Sequence, residues 1–529
     1  MKTQDRSLPR PRTDASVLVA LIGLFTLPFL PGPAPVALSA QSAPPAPTEA
    51  VAPEELERAA ATITAERVYN HLYVLASDGM RGRDTPSPGL EAAAAYLVSQ
   101  HRGFGLEPAG DDGTWYQRYP FRLVGADPDG ARVSLRGPGG QVAIRPGENG
   151  FVRGGAEEAL EGSVVAVEDV PAAPEAGALD GRVVMVRLSG SWGQPLWRAS
   201  LEQASFARRA GARAVIHVLD DDFPRDALSQ LAANMAEPGW HIGDDVPYPQ
   251  IFVRAGAVRE ALGGRDPARD GPVRDLTLEG EMPLKVHEDA APPNVIAMIR
   301  GSDPVLRDEY IVLSAHFDHV GVGQPMNGDS IYNGADDNAS GTTALLEVAR
   351  ALSSLPEAPR RSIVFAHVSG EEKGLLGSRW FVDNPTIPLE NAVANINADM
   401  VGSDTHPDTL VIIGKDYSDL GPLVKEVNTG LPELSLVTSP DLWPEQRLFY
   451  RSDQYHFMRK EIPSLFFFTG LHECYHRPCD TVDFVDPDKI ARIARLITHT
   501  VVEIANRDAR PEWDPEGLTE VREMIAGGR

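Results

Sequence analysis

The stretch Tyr310-Ile-Val-Leu-Ser-Ala-His-Phe-Asp-His319 decides the fold, because a short apolar run leads directly into two imidazoles and a carboxylate. A run of this length predicts a buried β-strand, here at 310–315. Similar runs follow at 362–368, 393–398, 410–413 and 464–468, and they alternate with helical patterns at 340–352, 374–382, 420–428, 454–458 and 488–506. Such alternation predicts an α/β domain with a mainly parallel sheet and helices on both faces.

Acidic and imidazole residues follow the ends of these predicted strands. His316 follows the first strand, Glu371 and Glu372 follow the second, and Asp399 ends the third. In open α/β sheets, ligands gather outside the carboxyl ends of the strands. Imidazole and carboxylate ligands suit zinc and related divalent ions, and two such metals can share a hydroxide. The sequence therefore predicts a two-metal site, with the candidate ligands His316, Asp336, Glu372, Asp399 and His476 and with Glu371 as a spare carboxylate.

Each of these residues, taken alone, also has an ordinary structural explanation. A histidine after a strand is more often a loop residue with satisfied hydrogen bonds. Asp336 or Asp337 could cap the following helix, a common use of Asp. Glu371 and Glu372 could be solvated charges before a helix, and Asp399 could cap a turn. The coincidence of all of them at successive strand ends favours the metal site.

Two further polar residues lie beside the first candidate ligand. Asp318 is two residues from His316, and a carboxylate that accepts the second ring N–H would fix the metal-binding tautomer. A surface Asp is the alternative. His319 is left unassigned, and a supporting or surface role is favoured over ligation.

Longer motifs around these residues resemble the M28 family of zinc peptidases, which includes bacterial leucyl aminopeptidases and glutamate carboxypeptidase. The motifs are Ser314-Ala-His-Phe-Asp-His-Val-Gly321, Gly334-Ala-Asp-Asp-Asn-Ala-Ser-Gly341, Ser369-Gly-Glu-Glu-Lys-Gly-Leu-Leu-Gly-Ser378, Asn397-Ala-Asp-Met400 and Tyr475-His-Arg-Pro-Cys-Asp-Thr481. The earlier stretch Leu75-Ala-Ser-Asp-Gly-Met-Arg-Gly-Arg83 also looks like the opening segment of the family. The resemblance implies a three-layer α/β/α zinc exopeptidase fold of the phosphorylase/hydrolase-like kind.

The resemblance also implies a role for each candidate residue. Asp336 would bridge two zinc ions and would be followed by an unusual cis peptide bond to Asp337. His316 and Asp399 would complete one metal, and Glu372 and His476 the other. Glu371 would be the general base, which takes a proton from the attacking water and delivers it to the leaving amine. Tyr475 would donate to the tetrahedral oxyanion, and a packing aromatic beside the site is the alternative.

The two cysteines of the chain lie on either side of the last candidate ligand, His476. Cys474 and Cys479 are the only cysteines, and in an exported protein they are expected to pair, which would brace the loop of His476; two free thiols are the alternative.

The segment Tyr450-Arg-Ser-Asp-Gln-Tyr-His456 resembles a family motif near the substrate pocket. Its Ser452 and Asp453 would support the site, but a helix cap by either residue is slightly favoured.

The first 40 residues are typical of an export signal. Lys2, Arg6, Arg10 and Arg12 precede the apolar stretch Val17-Leu-Val-Ala-Leu-Ile-Gly-Leu-Phe-Thr-Leu27, and small residues follow near position 40. The stretch is shorter than the ~20 residues that a spanning helix needs. We therefore expect a secreted or periplasmic protein with no membrane span after signal removal; an uncleaved anchor is the alternative.

The composition of the rest of the chain predicts its division into segments, and its charge limits the expected partners. Residues 41–54 are predicted to be a flexible linker, 55–120 and 294–510 the two parts of the peptidase domain, and 511–529 a C-terminal tail. Residues 121–293 are too long for a loop and resemble an inserted, β-rich protease-associated (PA) domain. The formal net charge of −26 repels phosphate backbones, so nucleic acid is not an expected partner.

The expected activity is hydrolysis of N-terminal residues from peptides by an aminopeptidase with two Zn²⁺ ions per chain. A carboxypeptidase or dipeptidase on the same scaffold is the alternative, in which Arg447 or Arg451 would hold a C-terminal carboxylate. A non-catalytic binding protein is disfavoured because all five ligands and the base are present. A glutaminyl cyclase is also disfavoured, because it would use a single zinc ion and a different ligand set, whereas the ligands for two metals are present here. Side-chain preference, native metal and oligomeric state stay open.

Overall fold

The computed structural model describes residues 51–527 apart from 128, 169–174, 176, 190–193, 236, 267–272, 274 and 404. The described residues belong to one compact unit, Pro47–Arg529. The predicted signal at 1–40 and most of the predicted linker at 41–54 lie outside the described residues. None of the helices within residues 51–527 combines the length and the apolar character that crossing a membrane demands.

Within the described residues, three α-helices and two short strands precede the insertion. They are α1 Pro53–Ala61, α2 Ala65–Leu75, α3 Pro88–Phe104, β1 Glu107–Pro108 and β2 Tyr116–Arg118. Local sequence explains the bounds of α3. The Ser87 hydroxyl accepts a hydrogen bond from the Leu90 N–H, Pro88 occupies the first turn, and Gly105 ends the helix with a φ of 84°. These are the preferred residues for the start and the end of a helix.

Residues 121–290 form two sheets of their own. The elements are β3 Phe121–Ala126, β4 Arg132–Gly137, β5 Gly140–Ala143, β6 Gly150–Arg153, β7 Leu160–Val167, β8 Val183–Arg187, α4 Gln194–Arg209, β9 Ala214–Leu219, α5 Arg225–Met235, β10 Gly239–Ile242, β11 Gln250–Arg254, α6 Ala255–Ala261, β12 Thr277–Glu281 and β13 Leu284–Ala290. An eight-stranded sheet has the order β5-β4-β12-β7-β8-β9-β11-β6, and a three-stranded sheet has the order β10-β3-β13. The segment is thus rich in strands; its assignment to the PA family stays a prediction.

The remaining elements carry the predicted site residues. They are β14 Pro293–Ile299, β15 Tyr310–His316, β16 Gly321–Met326, β17 Asp329–Tyr332, α7 Gly341–Ser353, β18 Ser362–Val368, α8 Leu376–Asp383, β19 Ala392–Ala398, β20 Thr409–Ile413, α9 Leu420–Gly430, β21 Val437–Ser439, α10 Gln454–Arg459, β22 Ser464–Phe468, α11 Pro487–Asn506 and α12 Pro515–Gly527. Every strand and helix predicted here from apolar runs is present, with bounds shifted by two residues or fewer. The predicted C-terminal tail contains α12, which buries Val521.

The main sheet has nine strands in the order β1-β14-β18-β15-β19-β22-β20-β21, with β2 also paired to β14. Its centre, β18-β15-β19-β22, is parallel, and β14 and β20 flank that centre in antiparallel pairs. The predicted α/β class is confirmed, with a sheet that is mixed at its edges. Because the four central strands are parallel, their carboxyl ends meet at one edge of the sheet.

Helices cover both faces of this sheet. Ile311 and Leu313 of β15 pack into the core shared with α2, α3, α7 and α11, whereas Val312 packs into the opposite core with Phe381 of α8 and Phe457 of α10. Alternate residues of a strand point to opposite faces, so a run that is apolar throughout requires two covered faces. The result is the three-layer arrangement that the resemblance implied.

The insertion contacts the main domain close to the predicted site. Asp245, in the loop after β10, forms an ion pair with Arg379 of α8 at 2.6 Å. Trp380 of the same helix stacks on Tyr119, just before the insertion begins. Helix α8 follows the Glu371–Glu372 pair in the chain, so the insertion is attached to the element that leads out of the candidate site.

Candidate metal centre

Seven acidic and imidazole side chains collect at the carboxyl edge of the parallel strands. They lie at or just after the ends of β15, β18 and β19, in the turn before α7, or in the loop after β22. The first cluster is His316, Glu371 and Asp399, and the second cluster is His319, Asp337, Glu372 and His476. Within each cluster, each residue offers one nitrogen or oxygen atom, and these atoms lie within 4.8 Å of one another. Four of the five predicted ligands, together with the predicted base, are therefore brought together.

Asp337 joins the two clusters. Its Oδ1 lies 3.3 Å from Nε2 of His316 in the first cluster, and its Oδ2 lies 3.1 Å from Nε2 of His476 in the second. A carboxylate that turns one oxygen to each of two groups has the arrangement of a bridging ligand. The side chain is buried, so its charge has little access to water.

Asp336, the predicted bridge, lies in neither cluster. Its Oδ1 accepts a hydrogen bond from the Gly402 N–H at 2.7 Å, and its Oδ2 lies 3.2 Å from Nε2 of His472. The predicted position was wrong by one residue, and so was the cis peptide bond, which joins Asp337 to Asn338. Neighbouring side chains of a tight turn point in different directions, and the spacing of two adjacent Asp residues does not show which one faces the site.

Several buried atoms of the clusters have no hydrogen-bond partner within the described residues. Among them are Nε2 of His316, Oδ1 of Asp399, Oε1 of Glu372 and Nε2 of His476. Leaving buried polar or charged atoms unpaired costs free energy, and bound cations would satisfy them. Mixed imidazole and carboxylate donors are the usual ligands of zinc. The residues present therefore fit the two zinc ions that the resemblance implied.

The two adjacent glutamates have opposite electrostatic surroundings. Burial raises the pKa of Glu371 well above its usual value, with Glu372 and Asp399 adding to the shift and His316 opposing it. Burial would also raise the pKa of Glu372, but the imidazoles of His319 and His476 hold it below its usual value. Paired carboxylates whose pKa values are pushed apart commonly have different chemical roles.

Comparison with known proteins identifies the domain that carries these clusters. Residues 294–501 match the model of Peptidase family M28. This segment belongs to peptidase family M28. It includes all seven cluster residues.

Similarity to individual proteins extends beyond the M28 segment. The chain is 25% identical over 323 residues to aminopeptidase YwaD of Bacillus subtilis, covering 59% of this chain and 61% of that protein. It is 28% identical over 238 residues to a probable leucine aminopeptidase of Arthroderma benhamiae, covering 43% and 62%. The chain thus spans about three fifths of the length of these relatives. Among solved structures, an aminopeptidase from Aneurinibacillus sp. strain AM-1 gives a TM-score of 0.47 at 19% identity, covering 87% of this chain and 98% of that one.

Asp318 supports the M28 site in a different way from the one predicted. Nδ1 of His316 donates to the main-chain carbonyl of Asp318 at 3.2 Å, while the nearer carboxylate oxygen is 3.6 Å away. That carboxylate instead accepts hydrogen bonds from the Thr85 hydroxyl at 2.9 Å and from the Glu371 N–H at 3.3 Å. It therefore ties the strand end of His316 to the backbone of Glu371.

Ser452 also supports the M28 site. Its hydroxyl donates to Oδ2 of Asp399 at 2.6 Å. The next residue, Asp453, is the N-cap of α10, but no side-chain hydrogen bond caps that helix. The cap interpretation of Ser452 and Asp453 was therefore wrong, because the serine hydroxyl is directed at a cluster carboxylate instead of the helix end.

A small pocket opens beside the clusters in the M28 domain. Asp337, Glu371, Asp399, Arg451 and Tyr475 contribute to its polar side, and its apolar side is lined by Met400, Leu448, Phe466, Phe468 and Leu471. The ring of Tyr475 stacks on His476 with centroids 3.9 Å apart, and its hydroxyl accepts from Arg451 at 3.3 Å. Tyr475 thus packs against a cluster imidazole and borders the pocket; its role as an oxyanion donor stays a prediction.

The loop that carries His476 is cross-linked. A disulfide joins Cys474 to Cys479, as expected from their proximity in the sequence, and it encloses His476. Asp480, next to the second cysteine, accepts hydrogen bonds from the N–H groups of Asp336 and Asp337 at 2.8 and 3.1 Å. One short segment therefore holds an imidazole of the second cluster and the backbone of the residue that joins both clusters.

Sequence reasoning missed Arg83 as a support of the M28 site. Its guanidinium is buried and donates to four carbonyl groups, those of Leu75, Phe317, Asn333 and Gly334, at 2.5 to 2.9 Å. It therefore joins the N-terminal segment to both loops that lead into the clusters. The motif at 75–83 was noted, but an arginine in a Gly-rich stretch carries no sign that it is buried.

Proposed function

We propose that this chain is an exported exopeptidase with two zinc ions, and that it acts as an aminopeptidase on peptides. The observation that carries the proposal is the carboxylate of Asp337, with one oxygen directed at each of two clusters. His316, Asp399 and Asp337 would hold one zinc ion, and Asp337, Glu372 and His476 the other. Two adjacent zinc ions supply Lewis acidity, which activates water and polarises the scissile carbonyl.

Glu371 is the proposed general base. It borders the pocket, whereas the neighbouring Glu372 faces His319 and His476 in the second cluster. A hydrogen bond from its own N–H to Asp318 fixes its backbone beside His316. From this position Glu371 accepts a proton from the attacking water and returns it to the leaving amine.

The charge of the pocket supports an aminopeptidase. Glu371 lines this pocket beside Asp337 and Asp399, and it is the one of these three carboxylates that is not a proposed zinc ligand. A free α-ammonium group is attracted to such a site, and an N-acetylated terminus lacks that charge. The apolar wall beside them accommodates the side chain of the first residue.

One observation favours a second candidate, a carboxypeptidase or dipeptidase. Arg451 lines the same pocket, where its guanidinium donates to the hydroxyl of Tyr475 at 3.3 Å. Arginine is well suited to hold a carboxylate. Arg447, the other candidate, packs over the ring of Tyr450 and lines a different pocket. Arg451 would therefore be the group that recognises a C-terminal carboxylate.

Hydrolysis of matched substrates separates the two candidates. Zinc-loaded protein would be assayed with aminoacyl-p-nitroanilides and their N-acetylated partners, and with dipeptides and their C-terminal amides. Cleavage of free-amine p-nitroanilides and of dipeptide amides, but of no acetylated compound, supports an aminopeptidase. Cleavage of free dipeptides alone supports the second candidate, and Arg451→Ala should then raise KM for them. No hydrolysis in any arm, with two zinc ions bound, contradicts both.

Export is proposed from the sequence of the first 40 residues. Expression of the full chain followed by N-terminal sequencing of the protein from the medium or periplasm tests it. A new N-terminus near residue 40 supports the proposal, and an intact N-terminus in the cytoplasm or membrane fraction contradicts it.

A further inference from the structure

His319 is the one member of the second cluster that the proposed function does not use. It follows β15 by three residues, and its side chain is completely buried. Its Nδ1 lies 2.8 Å from Oε1 of Glu372 and 3.8 Å from Oδ2 of Asp337. The imidazole is therefore inside the second cluster and away from solvent.

The contact between His319 and Glu372 is short but is not an aligned hydrogen bond. Despite the 2.8 Å separation, neither Nδ1 of His319 nor Oε1 of Glu372 has a hydrogen-bond partner within the described residues. Nε2 of His476 shows the same pattern, at 3.1 Å from both Asp337 and Glu372. Imidazole nitrogens and carboxylate oxygens that lie close together without forming hydrogen bonds to each other are expected where all of them are directed at one cation.

The position of the His319 ring is fixed by its neighbours. The backbone N–H of His319 donates to the carbonyl of Arg83 at 3.3 Å, and the side chain of that arginine is anchored by four carbonyls. Gly334 lies against the ring, and a Cβ at that position would come within 2.5 Å of Cγ of His319. Any larger residue at 334 would displace the imidazole, so the turn before α7 leaves room for it.

We propose that His319 is a fourth protein ligand of the zinc ion in the second cluster, an inference that rests on the proposed two-zinc function. The ligands of that ion would be His319, Asp337, Glu372 and His476. Within the described residues, the first cluster offers His316 and Asp399 beside the base Glu371, together with the shared carboxylate of Asp337. Zinc sites with four protein ligands are closed and structural, whereas catalytic zinc sites keep an open position. The second cluster therefore holds its zinc tightly, and the first cluster carries the exchangeable coordination position.

The test compares zinc binding of the wild type and of His319→Gln over a series of chelator buffers that set the free zinc concentration. Zinc per chain is measured by mass spectrometry, and thermal melting reports folding. The matched control is His367→Gln, which removes another buried imidazole, one that pairs with His101 outside both clusters. The form with one zinc ion is also examined by X-ray absorption, which counts imidazole ligands.

The wild type should bind two zinc ions in well-separated steps, and its one-zinc form should show two imidazoles. His319→Gln should weaken the tighter step by more than about 100-fold, beyond the 10–100-fold typical of a lost outer hydrogen-bond partner. His367→Gln should keep both steps. An unchanged tighter step in His319→Gln, or a single imidazole in the one-zinc wild type, overturns the ligand assignment. A wild type that never binds two zinc ions contradicts the proposed function itself.

Discussion

The hydroxyl of Ser452 donates a 2.6 Å hydrogen bond to Oδ2 of Asp399. The other oxygen of that carboxylate, Oδ1, lies 3.4 Å from Nε2 of His316. Ser452 thus selects which oxygen of Asp399 faces the first cluster. Because the serine is buried, no water can replace its hydrogen bond without a rearrangement.

Removing this hydroxyl should weaken metal binding in the first cluster. We expect Ser452→Ala to lower the affinity of the more weakly held zinc ion by about 10–100-fold, as for other outer partners of metal ligands. Zinc titration of the stripped protein measures it. Ser464→Ala, which removes a buried hydroxyl bonded to the Ile462 carbonyl, is the control. Equal zinc affinities in both variants would show that Ser452 has no role in positioning Asp399.

The two adjacent aspartates should differ in their effect on zinc. Asp337→Asn removes charge from the residue shared by both clusters, so we expect less than two zinc ions per chain at concentrations that saturate the wild type. Asp336→Asn should retain both ions, because its side chain bonds to Gly402 and lies against His472. Zinc analysis of the two variants checks the assignment. A greater loss from Asp336→Asn would restore the position expected from the sequence.

Glu371→Gln should separate catalysis from metal binding. The amide cannot accept the proton, so we expect turnover to fall by about 10²–10⁴-fold while zinc content and melting temperature stay unchanged. Steady-state kinetics on the substrate identified above, together with zinc analysis, measures both. Glu372→Gln is the matched comparison and should lose zinc. Near-normal turnover of Glu371→Gln would exclude its role as the base.

Asp453 should make the stability of the zinc-stripped protein depend on pH. Burial raises the pKa of its carboxyl to about 7, with His316 opposing the shift. Because the folded pKa lies above the unfolded one, the stability present below pH ~4 is lost as pH rises through 7. The loss is at most about 4 kcal/mol, at 1.36 kcal/mol for each pKa unit.

Asp453→Asn should therefore raise the melting temperature of the stripped protein at pH 8 and change it little near pH 4. Thermal melts at both pH values measure the difference. Asp226→Asn, at the start of α5 in the insertion, is the control for a change of net charge alone. The same melting difference at both pH values would contradict the assigned pKa.

The sequence was sufficient for the central sheet because its strands are apolar throughout. A strand such as Ser362–Val368 is buried at every position, and an apolar run of this kind does not fit an exposed position on the surface. The rule that ligands lie at the carboxyl ends of parallel strands then placed His316, Glu372 and Asp399 in the same region. These expectations depend on chain direction and hydrophobicity, and both can be read from a single sequence.

The predictions that were wrong depend on the direction in which side chains point within irregular segments. The turn before α7 decides that Asp337, and not Asp336, faces His316 and His476. Likewise, a loop conformation directs Ser452 at Asp399 instead of at the helix end. Such choices are made by tertiary contacts, like those of Asp480 with the turn, which lie more than 140 positions away in the chain.

The disulfide between Cys474 and Cys479 makes the second cluster sensitive to the compartment in which the chain folds. His476 lies inside the cross-linked segment, and Asp480 adjoins it. Protein that matures where thiols stay reduced would have the same sheet and the same first cluster but a loosely held imidazole in the second. Two preparations of identical sequence would then differ in metal content, so the oxidation history of a sample belongs with its zinc analysis.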